Sequence, residues 1–276
     1  MNNDINDSGS PVQLIRSLWA NKSLIQRMTK REVVGRYKGS VVGIAWSFFN
    51  PLLMLLVYTF VFSKIFKSRW PAEELDGSGS FAMMVFLGMI VHAFFSECLN
   101  KSPEILLNNK NYITKVVFPL EILPIVNIGV AIFHLTISML VAAIALVWLD
   151  RLPGLTVLMF PFLLLPLVLG TAGLTWITTS LGVYIRDISQ LVVFISSILL
   201  FLSPVFYPTS ALPEKYQAWL VYNPLTYFIE QSRGLLLYNK IPDLNGLLTA
   251  YCISSAIFFA GYYWFQKTRK GFADVL

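Results

Sequence analysis

The sequence predicts an all-α integral membrane protein with six transmembrane helices. Three observations carry that expectation. Of the 276 residues, 56% are hydrophobic and only 13% charged. Mean hydropathy is +0.64, outside the balance of soluble domains. Six stretches approach the ~20 mainly apolar residues that a helix needs to cross about 30 Å of hydrocarbon. They are 41–66, 81–99, 120–149, 155–184, 188–203 and 245–266, and the fifth is short but followed by more apolar sequence over 204–240.

The chain opens on the polar run MNNDINDSGS, without the charged and apolar pattern of a signal peptide. The amino terminus is therefore expected to stay in the cytoplasm, and six crossings return the carboxyl terminus there. The charge pattern agrees with that orientation. Arg16, Lys22, Arg27, Lys30, Arg31, Arg36, Lys38, Lys101, Lys110, Lys115, Arg186, Lys267, Arg269 and Lys270 fall inside, and the smaller set Lys64, Lys67, Arg69, Arg151, Lys215, Arg233 and Lys240 falls outside. Trp46, Trp70, Trp148 and Trp264 lie near span ends, where an amphipathic ring prefers the headgroup level, and Trp176 lies within a span. The net charge of +6 belongs to bases flanking apolar spans, so anionic lipid headgroups suit it better than nucleic acid. No internal repeat or linker divides residues 1–276, which read as one transmembrane domain.

Ahead of the first span, residues 12–31 (VQLIRSLWANKSLIQRMTKR) read as one amphipathic helix. At 100° per residue Leu14, Ile15, Leu18, Trp19, Ile25 and Met28 share an arc, with Arg16, Arg27 and Arg31 opposite. The helix either lies in the inner headgroup layer or packs as a soluble element. Between the second and third spans, NKSPEILLNNKNYITK (100–115) is polar, with Ser102 placed as N-cap, Pro103 at the first helical position and Glu104 in the first turn. A short helix parallel to the membrane is expected, serving as a docking surface or as a plain connection.

Catalytic signatures are absent from the sequence: no GxxxxGK[ST], GxSxG, HExxH or CxxC occurs, so neither a P-loop nor a metal site is expected. Cys98 and Cys252 fall at different depths, which disfavours a disulfide. His92 and His134 sit near the middle of the second and third spans. They suit a proton relay or, with no Asp or Glu at mid-membrane beside them, neutral hydrogen bonding between helices. Glu97 and Glu121 are placed near inner span ends, within reach of water.

The stretch SPVFYPTSALPEKYQAWLVYNPLTYF (203–228) is too apolar for a solvated loop and too broken for one span. The residue before each of Pro204, Pro208, Pro213 and Pro224 resists α geometry. Non-helical backbone at membrane depth survives only when covered by protein or lining a wet cavity. A re-entrant pair of short helices, 209–221 and 224–238, meets that constraint and sets Phe206, Tyr207, Tyr216, Trp219, Tyr222, Tyr227 and Phe228 at an outer mouth. Such rings suit sugar stacking, lipid anchoring or a plain aromatic belt.

RYKGSVVGIAWSFFNPLLMLLVYTFVFSKIF (36–66), VFPLEILPIVNI (117–128) and YNPLTYFIEQSRGLLL (222–237) together resemble the signature stretches of the permease subunit of ABC-2-type polysaccharide exporters. The O-antigen branch is the nearest, with capsule and teichoic-acid exporters related. The resemblance implies a homodimer in the cell inner membrane, paired with two ATP-binding subunits that hold ATP and Mg, so that this chain carries no cofactor. It also implies export of an undecaprenyl-diphosphate-linked polysaccharide. Residues 12–31 match the family's interface helix, 100–112 its coupling helix and 204–240 its periplasmic gate helices.

On that basis Lys101, Glu104, Leu107, Asn108 and Lys110 are expected to meet the ATPase. Tyr58, Phe62, Phe194, Phe201, Tyr207, Tyr216, Trp219, Tyr222 and Tyr227 are expected at the channel or gate. Arg31, Arg36 and Lys38 are expected to attract the substrate diphosphate at the inner rim. The competing classes are a proton-driven secondary transporter, which needs buried carboxylates, and a membrane enzyme acting on lipid-linked sugars.

Overall fold

A backbone crossing hydrocarbon must satisfy its own hydrogen bonds, and this chain does so with helices alone among the described residues. The computed structural model describes residues 10–61, 78–114, 118–150, 154–220 and 222–275. Helices α1 (Pro11–Ala20) and α2 (Lys22–Arg36) precede α3 (Trp46–Phe60) and α4 (Ser78–Lys101). The short α5 (Lys110–Thr114) leads to α6 (Ile122–Trp148), α7 (Phe160–Tyr184) and α8 (Ile188–Leu202). Then come α9 (Glu214–Leu220), α10 (Pro224–Leu237), α11 (Leu244–Thr268) and α12 (Phe272–Val275).

Among the described residues, five helical stretches are long and apolar enough to span a membrane: Gly43–Phe60, Phe81–Glu104, Ile122–Trp148, Leu155–Tyr184 and Leu244–Val275. The expected fifth crossing differs. With 15 residues, α8 covers roughly 22 Å at 1.5 Å per residue, short of the hydrocarbon thickness. It stops where Ser203 turns extended ahead of Pro204.

The expected single helix over 12–31 is also corrected, because two helices meet at Asn21 (φ −98°, ψ 11°) and α2 runs on to Arg36. The Asn21 amide donates to the Ser17 carbonyl at 2.9 Å, the local side-chain bonding by which Asn competes with helix propagation. Of the apolar arc, Leu14 and Met28 are buried, whereas Ile15 and Trp19 are exposed.

Small residues set the closest approaches. The α7 and α11 backbones touch, since a Cβ at Gly261 would lie 2.2 Å from the Gly173 oxygen and one at Gly173 would lie 2.3 Å from that of Ile257. Without a hydrophobic drive between helices in lipid, such close packing is what holds them together. Toward the end of the bundle that holds α1 and α12, Ser180 and Thr268 hydroxyls meet at 2.6 Å and the Tyr184 hydroxyl donates to the Thr268 carbonyl at 2.9 Å. Glu121 ties the same end together. Its carboxylate accepts from Ser17 of α1 at 2.8 Å and from Arg269 at 3.0 Å, and its carbonyl accepts from the buried Trp176 indole at 3.0 Å. Leu14, Trp176, Phe265 and Phe272 close one hydrophobic cluster around this knot.

The spans differ sharply in cover. In α4, 78% of the apolar window is buried, against 6% in the span of α3, so α4 is the spine and α3 a flank.

Candidate functional site

Where α8 ends, the prolines do more than break the helix. Pro204 has no N–H, Pro208 enters a single 3-10 turn (Thr209–Ala211), and Pro224 opens α10 at its first turn. Asn223 caps α10 by accepting from the Leu225 N–H at 3.0 Å. Its amide reaches back to the Ser203 hydroxyl at 2.9 Å and the Leu202 carbonyl at 3.2 Å, joining the α9–α10 turn to the end of α8. Asn223→Ala is expected to lower stability by about 1 kcal/mol, read as a fall in the unfolding midpoint in detergent.

Pro224–Phe228 line one cavity with α7 from Pro166 to Leu174 and α11 from Gly246 to Ile257, and the Tyr227 ring packs at Gly246 in the first turn of α11. From there α10 runs to the end of the bundle away from α1 and α12, where the Asn239 side-chain oxygen accepts from the Gly154 N–H at 2.6 Å.

Arg233 pins α10 to α4 and to the chain leaving α8, a role that sequence reading missed in treating it as one more outer base. The side chain is 2% exposed, with Nε donating to the Met84 carbonyl at 3.0 Å, Nη1 to that of Pro204 at 2.6 Å and Nη2 to that of Val205 at 2.8 Å. Glu230 supplies the counter-charge at 3.3 Å. A Cβ at Gly88 would lie 2.9 Å from the guanidinium, so the glycine on α4 makes room for it. The available signal was an arginine three residues after a glutamate in an otherwise apolar segment.

The expected gate and channel aromatics divide. Phe194 and Phe201 on α8, and Tyr216, Trp219 and Tyr222 around α9, are exposed. Tyr207 is half-buried with its hydroxyl donating to the Phe201 carbonyl at 3.0 Å, and Tyr227 donates to that of Asp243 at 2.9 Å. Phe228 is buried in the core and not at any mouth, because it lies on the α10 face turned toward the core. Phe62 lies outside the described residues.

Tyr58 lines a cleft of about 460 Å³ between α3, α4 and α6 whose other end holds Arg36, Tyr37 and His134. There Arg36 Nη1 donates to Glu97 at 2.6 Å, and His134 Nδ1 lies 2.9 and 3.0 Å from the two Glu97 oxygens. The Tyr37 hydroxyl sits 3.1 Å from His134 Nε2. Burial raises the Tyr37 phenol above its ordinary value, with Arg36 opposing and Glu97 reinforcing the shift, so it remains a hydroxyl donor. His134 Nδ1, which faces both carboxylate oxygens, also lies 3.1 Å from Arg36 Nη1, so the guanidinium, the carboxylate and the imidazole form one cluster. The expectation of no carboxylate beside His134 is therefore corrected: Glu97, placed near a span end from sequence, reaches it across the α4–α6 contact. His92 follows the other expectation, bonding between helices to the Ser196 carbonyl at 3.0 Å.

The three bases expected at the inner rim do not share a site. Arg36 occupies the cleft, Arg31 contacts the Tyr112 hydroxyl at 3.4 Å, and Lys38 is exposed. Arg31 also lines a separate cavity of about 250 Å³ with Lys101, Glu104 and Asn108.

The 100–112 connection is not one helix. It begins as the last turn of α4, passes through two 3-10 turns (Ser102–Glu104 and Leu107–Asn109) and ends in α5. Ser102 does not cap. Its hydroxyl donates to the Leu99 carbonyl at 2.7 Å and contacts the Thr178 hydroxyl. Pro103 rests on α7 at Gly182, whose Cβ would lie 2.3 Å from the proline carbonyl oxygen. With Leu106 fully buried, Lys101, Glu104, Asn108 and Lys110 are left exposed and Leu107 half-buried.

These features, a polar-footed cleft and an exposed connection beside α1 and α12, belong to a helical multi-pass membrane protein. The chain belongs to the ABC-2 type transporter family, whose model matches residues 23–237. Among curated proteins it is 24% identical over 265 residues to the O-antigen export system permease protein RfbA of Myxococcus xanthus, covering 95% of this chain and 99% of the relative. A Klebsiella pneumoniae protein of the same name is 26% identical over 254 residues, covering 92% of this chain and 95% of the relative. The capsule polysaccharide export inner-membrane protein CtrC of Neisseria meningitidis is 24% identical over 225 residues, covering 80% and 81%.

Proposed function

We propose that two copies of this chain enclose the channel of an ATP-driven exporter that moves undecaprenyl-diphosphate-linked polysaccharide, of the O-antigen type, across the cell inner membrane. In this reading α8 serves as a short fifth crossing, which brings the total to six, and both termini are cytoplasmic. Two separate ATP-binding subunits hold ATP and Mg and seat on Lys101, Glu104, Leu107, Asn108 and Lys110. The re-entrant α9–α10 hairpin is the periplasmic gate, with Tyr207, Tyr216, Trp219, Tyr222 and Tyr227 at its mouth. Stacking on such faces is adaptable and modest per ring, which lets a polymer slide.

One observation carries the reading. α3 and α8 both flank α4 while leaving broad faces uncovered, and the accessible stripe of α4 includes Ser96, Glu97, Asn100 and Lys101. A second copy that closes over such a face encloses a polar-lined passage, with Tyr58, Phe194 and Phe201 along its walls. Capsule export is the alternative substrate class, supported by the likeness to CtrC.

Labelling tests the passage. In membranes holding the subunit with its ATPase, Phe194→Cys is expected to react with a water-soluble thiol reagent far faster than Ile144→Cys on the exposed face of α6. Equal rates would mean no wet passage along α8. Glycan export is expected to stop on ATP depletion and to survive collapse of the proton gradient; the reverse pattern would favour a secondary transporter.

A further inference from the structure

We propose that the cleft between α3, α4 and α6 is the loading site for the lipid-linked diphosphate, where Arg36 exchanges Glu97 for the diphosphate. The proposal rests on the substrate class named above and assigns it a place and a built-in lock.

The cleft has the two-ended chemistry of an anionic amphiphile. Its polar foot carries Arg36, Tyr37 and His134, with Ser47 and Asn50 beside them, and its wall continues through Met54, Tyr58, Phe86 and Ile90. At about 460 Å³ it has room for a headgroup and the first part of an apolar chain. Arg36 is the one Lys or Arg among its lining residues. A diphosphate offers a guanidinium more charge and more oxygen acceptors than a single carboxylate, and arginine binds phosphate with two parallel bonds.

Glu97 closes the site in the meantime. Its 2.6 Å bond to Arg36 neutralises the cation, and both its oxygens also face His134 Nδ1. When diphosphate takes Arg36, Glu97 keeps the imidazole N–H as its partner. The exchange therefore leaves no carboxylate unpaired in a region only 20% exposed, the outcome that makes breaking buried ion pairs costly. The Tyr37 hydroxyl, 3.1 Å from Nε2, occupies the far side of the ring, which leaves Nδ1 turned toward Glu97. The arrangement rejects weak single-charge anions and admits a group able to outcompete the carboxylate.

Equilibrium binding to the subunit–ATPase complex in nanodiscs tests this with three probes: undecaprenyl diphosphate, undecaprenyl monophosphate and inorganic pyrophosphate. Wild type is expected to bind undecaprenyl diphosphate about tenfold more tightly than either other probe. Glu97→Gln is expected to tighten that binding about tenfold and Glu97→Asp to restore the wild-type value. Arg36→Lys is expected to weaken it about tenfold. Ala93→Trp, which fills the cleft wall, is expected to weaken the lipid probes while sparing pyrophosphate. A merely structural Glu97 would leave affinity unchanged or reduced on removal of its charge, and either result overturns the proposal, as does equal binding of pyrophosphate and the lipid diphosphate. If wild type exports glycan while these affinities stay level, the loading site alone is wrong; if wild type exports no glycan, the functional reading itself fails.

Discussion

Arg233→Met is expected to release α10 from α4 and from the 204–205 backbone. The methionine fits the volume but supplies no donors, while the carbonyls of Pro204 and Val205 stay buried in an irregular stretch with no helical N–H to replace them. Each orphaned group costs roughly 1–3 kcal/mol, giving a loss of about 3 kcal/mol for the pair. Replacing a buried charge by an apolar residue can be neutral when its partner is replaced too, but backbone carbonyls cannot be replaced. The expected readouts are a lower unfolding midpoint in detergent and new protease cleavage within 209–223. Arg233→Lys keeps the charge yet cannot reach three separated carbonyls, so it should fall between. An unchanged midpoint and protease pattern in Arg233→Met would remove the arginine from its role as a pin.

Gly182→Val is expected to separate ATP hydrolysis from export. The obstacle is the Cβ itself, 2.3 Å from the Pro103 oxygen and 2.6 Å from its Cα, and these are backbone atoms that cannot swing aside. Relief requires the 102–104 turn to move by about 1 Å, at a cost of about 1–3 kcal/mol for an overpacked contact. Because α7 elsewhere packs through its own seam with α11, the subunit should still reach the membrane in normal amount. ATPase activity of the complex is expected to persist while glycan export falls severalfold or more. Export that tracks only the loss of stability would place Gly182 among ordinary packing residues.

The sequence was most legible where one rule acts along a single segment. The α6, α7 and α11 spans agree with their expected ranges within a few residues, because about 20 apolar residues in a bilayer leave few alternatives to a helix. The prolines of 204–224 likewise marked where helices stop, and α10 lies where the broken pattern put it, whereas the helix expected over 209–221 splits into a 3-10 turn (Thr209–Ala211) and α9 at the extended Leu212 before Pro213. Local reasoning failed where a competing local bond decided the outcome. Asn21 split the amphipathic segment, and Ser102 turned back to the Leu99 carbonyl in place of capping.

The candidate site was less legible. Glu97 and His134 are far apart in sequence, and depth counted along each helix separately placed the carboxylate near an end and the imidazole near the middle. Antiparallel packing of α4 on α6 brings them together, as the Asn127 amide bonded to the Cys98 carbonyl at 2.9 Å also records. Arg31, Arg36 and Lys38 looked equivalent as inner bases, yet α2 delivers only Arg36 to the cleft.

By itself the sequence determined that this chain lives in a membrane, where its long spans run and where proline stops a helix, since transfer of apolar residues and the geometry of proline are properties of short segments. Tertiary structure alone decided which polar groups meet: the guanidinium of Arg233 with three carbonyls, and Arg36 with Glu97 and His134. Those pairings depend on the angles and depths at which whole helices pack. Such angles are set by glycines that let backbones touch, contacts invisible until both partners are in place.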